Sequence, residues 1–104
     1  MNDQTRVKEF VSKYQLKTSI EARFLDLVSE IGEASKEILK GSNFGKDNLK
    51  LKDSWVYEIG DIYFSLLCLC NLTEIDIEKS LTKVLEKYKK RIDTSPGFEP
   101  GSRN

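Results

Sequence analysis

The chain has 104 residues, 38% of them apolar and 33% charged, which suits one domain at the low end of what a single core sustains. Lysine plus arginine and aspartate plus glutamate number 17 each, so no net field favours a nucleic acid polymer or an anionic membrane as partner. Histidine is absent, which removes Cys/His zinc sites, His-based general base catalysis and the Glu-x-x-His pattern of di-iron bundles.

No apolar run approaches the roughly 20 residues that a membrane span needs. The longest, over 62–70, is interrupted by Ser65. The opening residues are polar and charged, without the apolar segment of a secretory signal. Cys68 and Cys70 lie two apart, a spacing that points them to different sides of a helix. The expectation is a cytoplasmic protein whose two cysteines are reduced and buried. So high a charged share fits amphipathic helices, with further burial gained by self-association.

Taken in order, 5–14 reads as a first helix, with Val7, Phe10, Val11 and Tyr14 at helical spacing. Its plain role is to cover the core; a sharper one has Phe10 or Tyr14 enclosing a ligand. Thr18 or Ser19 is placed to cap a second helix that runs to about Lys40, with Gly41 as its stop. Phe24, Leu27, Val28, Ile31, Ala34 and Ile38 form its apolar stripe, and Glu30, Glu33 and Glu37 line up beside it. By itself that acidic row reads as a solvated face.

The glycines and asparagines of 41–50 predict a loop, surrounded by Lys40, Lys46, Lys50 and Lys52. It is either a mobile connector or a positively charged flap over a polyphosphate, with Phe44 available to cover a base. The third helix is expected to start after Asp53 or Ser54 and to reach Cys70. It is apolar almost all round, the mark of a helix buried on most sides. Glu58 and Asp61 nevertheless lie within it. A buried acid left uncompensated costs several kcal/mol, so a metal ion or a basic partner is the favoured account.

The two acidic stretches echo each other: Ser29-Glu30-Ile31-Gly32-Glu33 and Tyr57-Glu58-Ile59-Gly60-Asp61. Residues three apart share a helix face, with Cβ atoms about 5–6 Å apart. If the two helices face one another, Glu30, Glu33, Glu58 and Asp61 converge, and all-oxygen ligation suits Mg²⁺, with Mn²⁺ as an alternative. Gly32 and Gly60 each cost about 1 kcal/mol of helix propensity relative to alanine, and close approach of the two backbones is a plausible return.

After a short turn over 71–76, with Thr73 or Asp76 as cap, a fourth helix is expected over 77–92. Ile77, Leu81, Val84, Leu85, Tyr88 and Ile92 form its stripe, and Lys83, Lys87, Lys89, Lys90 and Arg91 make its end basic. Those charges complement the helix dipole; alternatively, Lys87 and Arg91, four apart on one face, bind phosphate. The segment 94–104 lacks periodicity and reads as an unstructured tail. No P-loop or dinucleotide fingerprint is present. The expected fold is all-α, a four-helix bundle-like domain over 1–93, with helices 2 and 3 forming the acidic metal site.

Leu27-Val28-Ser29-Glu30-Ile31-Gly32-Glu33 followed by Glu58-Ile59-Gly60-Asp61-Ile62 resembles the MazG-like, all-α nucleoside triphosphate pyrophosphohydrolases. That family carries Glu-x-x-Glu, a spacer and Glu-x-x-Asp; here 24 residues separate Glu33 from Glu58. The basic stretch Lys87-Tyr88-Lys89-Lys90-Arg91 is similar to one on the family's last helix. The resemblance implies Mg²⁺-dependent hydrolysis of a (deoxy)nucleoside triphosphate to monophosphate and pyrophosphate, in a homodimer or homotetramer. By that likeness Glu30, Glu33, Glu58 and Asp61 hold metal, and Glu33 or Glu37 activates water. Lys87 and Arg91 hold pyrophosphate, and Trp55, Phe44 or Tyr63 contacts the base. The competing expectation is a non-catalytic helical interaction module whose acids form salt bridges to a partner helix.

Overall fold

The computed structural model describes residues 1–94. Among them are four helices and no strand: α1 (Asp3–Lys13), α2 (Ile20–Gly41), α3 (Trp55–Leu72) and α4 (Ile77–Thr94). The all-α class and the order of the helices are those expected. The tail expected over 94–104 begins with Thr94, the last residue of α4; 95–104 lie outside the described residues. Two compact units divide the chain, Met1–Glu74 with α1 to α3, and α4 in the second.

Short polar side chains set the helix starts. Asn2 accepts from the Thr5 amide at 2.8 Å, so α1 begins two residues before the expected Thr5. Ser19, not Thr18, caps α2, accepting from the Ala22 amide at 3.0 Å. Asp76, not Thr73, caps α4, its Oδ1 accepting from the amides of Glu78 at 3.0 Å and Lys79 at 3.2 Å. The exception is α3. Ser54 is already helical in backbone (φ −69°, ψ −9°) and makes no side-chain cap bond. A turn over 52–55, closed by the Trp55 amide on the Lys52 carbonyl at 3.0 Å, leads into the helix instead.

Gly41 is the last residue of α2 rather than a stop beyond it. A Cβ there would collide with the carbonyl oxygen of Lys50, whose amide donates to Gly41 O at 2.9 Å. The connector after α2 therefore folds back on the helix end. Asp47 N reaches Ser42 O at 2.9 Å, Asn43 Nδ2 reaches Asp47 Oδ2 at 3.1 Å, and the Gly45 amide reaches Ser42 Oγ at 3.0 Å. Asn43, Phe44 and Gly45 all adopt left-handed backbone, with φ of 50°, 59° and 83°.

In the first unit α3 is the shared element, with α1 and α2 both packed on it. Burial is concentrated in its C-terminal half, where Ser65, Leu67, Cys68 and Cys70 are buried. Ala34 and Arg23 of α2 are buried too. The N-terminal half departs from the expectation of a helix buried on most sides: Val56, Tyr57 and Ile59 are exposed, Tyr57 to 72%. Two neighbouring helices can cover only part of an all-apolar cylinder. Cys68 and Cys70 are free and buried, and burial raises the pKa of each thiol. No described helix is long and apolar enough to cross a membrane.

Candidate metal centre

Glu30 projects from the middle of α2, and Glu58 and Asp61 from successive turns of α3. Their carboxylate oxygens lie within 4.8 Å of one another. Glu30 and Glu58 are partly buried and Asp61 is exposed. The group has no internal compensation: none of the three forms a salt bridge among the described residues. The electrostatic consequence falls on Glu30. Its pKa is raised, first by burial and then by the negative charges of Asp61, Glu58, Glu33 and Asp26. Three oxygen donors that repel one another and face a partly wet rim have the chemistry that a hard divalent cation satisfies.

Glu33 stands outside this group. Its carboxylate pairs with Lys36 Nζ at 3.5 Å on an exposed part of α2. Glu37, two turns beyond Glu30, is likewise not part of it. One helix packs only a limited arc against its neighbour, so the regular Glu30, Glu33, Glu37 row need not turn toward α3 as a whole. Gly32 and Gly60 do not have the role suggested by their helical positions. A Cβ at either would meet nothing within 4 Å among the described residues, so neither is needed for close approach of α2 and α3.

What Gly60 does is leave space. It lines a recess of about 530 Å³ that has Asp61 in its wall. One side of the recess comes from α3, with Tyr63, Phe64 and Leu67; the other comes from α1, with Asp3, Arg6 and Phe10. Phe10 and Phe64 meet edge to face, centroids 6.2 Å apart at 88°. Across the rim Tyr63 donates its hydroxyl hydrogen to Asp3 Oδ2 at 2.9 Å, and Arg6 Nη1 donates to Asp3 Oδ1 at 3.1 Å.

Trp55 and Phe44 do not line the recess. Trp55 is partly buried in the first turn of α3, and Phe44 is 70% exposed in the connector. Lys87 and Arg91 belong to the second unit and sit one turn apart on α4, with Lys87 Nζ 5.2 Å from the centroid of Tyr88. The polar residues of α1 that line the recess, Asp3 and Arg6, were not singled out from sequence; the aromatic spacing of Phe10 and Tyr14 was the available signal.

A family model described as the MazG nucleotide pyrophosphohydrolase domain matches residues 18–95, which takes in both acidic stretches but not α1. Among curated relatives, the uncharacterized protein YpjD of Bacillus subtilis is 32% identical over 68 residues, 62% of this chain and 60% of that protein. This match therefore spans less than two thirds of the relative. Two solved structures superpose well. A crystal structure of the Bacillus-conserved MazG protein, a nucleotide pyrophosphohydrolase, gives a TM-score of 0.67 at 26% identity, covering 82% of this chain and 83% of that one. The crystal structure of the putative pyrophosphatase YPJD from Bacillus subtilis gives 0.69 at 30% identity, covering 85% and 90%.

Proposed function

The chain belongs to the MazG nucleotide pyrophosphohydrolase family, and on that basis we propose that it hydrolyses a (deoxy)nucleoside triphosphate to the monophosphate and pyrophosphate, with Mg²⁺ as cofactor. The observation that carries the reading is the group formed by Glu30, Glu58 and Asp61. Three carboxylates from two helices lie within 4.8 Å of one another, and none of them forms a salt bridge among the described residues. The salt-bridged interaction module would have to draw its cations from a partner helix.

Glu30, Glu58 and Asp61 are the residues that would hold Mg²⁺, and Mn²⁺ meets the same donor requirements. When bound, the ion neutralises phosphate charge and makes the α-phosphorus more susceptible to attack. The remaining chemistry belongs to side chains. Water attacks the α-phosphorus and the α–β anhydride bond breaks, so the electron pair leaves with pyrophosphate. A carboxylate of α2 takes the proton from that water; Glu33, one turn from Glu30, and Glu37 are the candidates. Glu33 is also the candidate for a fourth metal ligand, once its carboxylate leaves Lys36.

The nucleoside sits in the recess between α1 and α3. Phe10 and Phe64 offer aromatic faces and edges to the base, and Asp3 and Arg6 offer an acceptor and a donor pair at its rim. Of the base contacts expected from sequence, Tyr63 borders that space and Trp55 and Phe44 do not. The assignment of Lys87 and Arg91 to pyrophosphate rests on their spacing and on family likeness alone.

The active protein is a homodimer or homotetramer in this reading. Phe24, Leu25, Val28 and Ile31 along α2, with Val56, Tyr57 and Ile59 on α3, are all exposed, far more apolar surface than scattered single residues give. The free buried thiols suit the reducing cytoplasm. Incubation with a panel of nucleoside triphosphates and Mg²⁺, followed by chromatography, tests the function. Monophosphate plus pyrophosphate is the expected product pair. Release of inorganic phosphate, or no turnover of any triphosphate with either Mg²⁺ or Mn²⁺, would overturn it.

A further inference from the structure

A second cavity, of about 690 Å³, contains none of the acids of the metal centre. It lies within the first unit, among α1, the turn after it, the start of α2 and the C-terminal end of α3. Its charge is opposite to that of the metal centre. Lys8, Lys17 and Arg23 border it, against Glu74 as the one acid of its lining among the described residues. Lys8 and Lys17 have no ion-pair partner among the described residues. The floor is apolar, with Val11, Leu72 and the buried Cys68.

Arg23 is the informative member. Only 8% of it is exposed, and a buried guanidinium requires compensation for its charge and for each of its donors. What it has is incomplete. Nη2 donates to the Leu16 carbonyl at 3.1 Å, and the guanidinium lies 5.7 Å from the ring centroid of Phe64. Its ion pair is long, 3.6 Å from Nη1 to an Asp26 carboxylate that is itself mostly exposed, and Nε has no hydrogen-bond partner among the described residues. The chain therefore keeps an under-compensated buried cation beside a cavity whose rim carries two unpaired lysines.

We propose that this cavity is a binding site for a small organic anion, a phosphate monoester with an apolar or aromatic body. The charged end lies toward Lys8, Lys17 and Arg23, and the body rests on Val11, Leu72 and Cys68. The volume is in the range of small-molecule sites, which are usually apolar with a few convergent polar groups. The site is separate from the pyrophosphohydrolase reading and stands whether or not the acids turn over a nucleotide.

Phenyl phosphate is a suitable probe, with benzyl alcohol as its uncharged counterpart, each titrated into the full chain and followed by amide chemical shifts without added metal. The expected result is shifts confined to 8–18, Arg23 and 68–74, with benzyl alcohol binding at least about tenfold more weakly. The double variant Lys8→Gln/Lys17→Gln should lose about tenfold in affinity for phenyl phosphate while keeping its melting temperature, since both lysines are exposed. Occupancy should also slow reaction of Cys68 with a thiol reagent in a Cys70→Ser background. Shifts centred instead on Glu30, Glu58 and Asp61, equal binding of the two probes, unchanged affinity in the double variant, or no binding at millimolar probe would overturn the proposal.

Discussion

Tyr63 donates its hydroxyl hydrogen to Asp3 at 2.9 Å, a bond that spans 60 positions of the chain and ties the first turn of α1 to the acidic turn of α3. Asp3 is held from its other oxygen by Arg6 at 3.1 Å. This polar clasp lies on the rim of the recess that has Asp61 in its wall. Removing the hydroxyl with Tyr63→Phe should leave stability within about 1 kcal/mol, because an exposed hydrogen bond contributes little net free energy. The effect should appear as a raised KM for the triphosphate with kcat nearly unchanged, measured by steady-state pyrophosphate release.

Asp61→Asn tests the metal centre directly. Turnover should fall on the order of a hundredfold or more, since a charged ligand is replaced by a weak neutral one. Thermal unfolding in the presence of a chelator should show the variant as stable as the parent or more so, because repulsion on Glu30 is relieved. A sharp loss of metal-free stability would identify Asp61 as a structural ion-pair partner instead.

Glu30 gives the pH dependence. Burial and the surrounding acids raise its pKa in the folded state, so between the ordinary carboxylate value and the raised one the folded chain holds more protons than the unfolded chain. Metal-free stability should therefore fall as pH rises through that window, and Glu30→Gln should flatten the slope. Urea unfolding at stepped pH with chelator present measures this. Divalent cation affinity should rise across the same window, and saturating Mg²⁺ at about 100 times its Kd should add about 2.7 kcal/mol.

The glycines separate two kinds of requirement. A Cβ at Gly32 or Gly60 meets open space, so Gly32→Ala and Gly60→Ala should each stabilise the helix by up to about 1 kcal/mol. Gly60→Ala should also raise KM, because the added methyl enters the recess beside Asp61. Gly41→Ala should destabilise by about 1–3 kcal/mol, since its Cβ would drive the Lys50 carbonyl away from the end of α2. Thermal melts of the three single variants distinguish these outcomes.

The four helices and their acid pairs were legible because they are local facts. Apolar spacing, a cap at Thr18 or Ser19 and another at Thr73 or Asp76, and Glu58 with Asp61 on one face depend on neighbours three or four residues away; the structure chose Ser19 and Asp76. The missing cap on α3 was not legible, since Ser54 has the right chemistry and its backbone takes a helical conformation instead. Glu33 shows the limit more plainly. Its position in the motif matches that of Asp61, yet it pairs with Lys36 while Asp61 joins Glu30.

By itself the sequence determined an all-α chain with two carboxylate pairs on successive helices, and enough of the motif to identify the family. The tertiary structure decided which three acids meet, that α1 supplies one wall of the neighbouring recess, and that Arg23 is buried beside a basic cavity. The reason is physical. Helical periodicity fixes the angle between residues on one cylinder, whereas meeting across cylinders depends on how each one is rotated when side chains distant in sequence pack together.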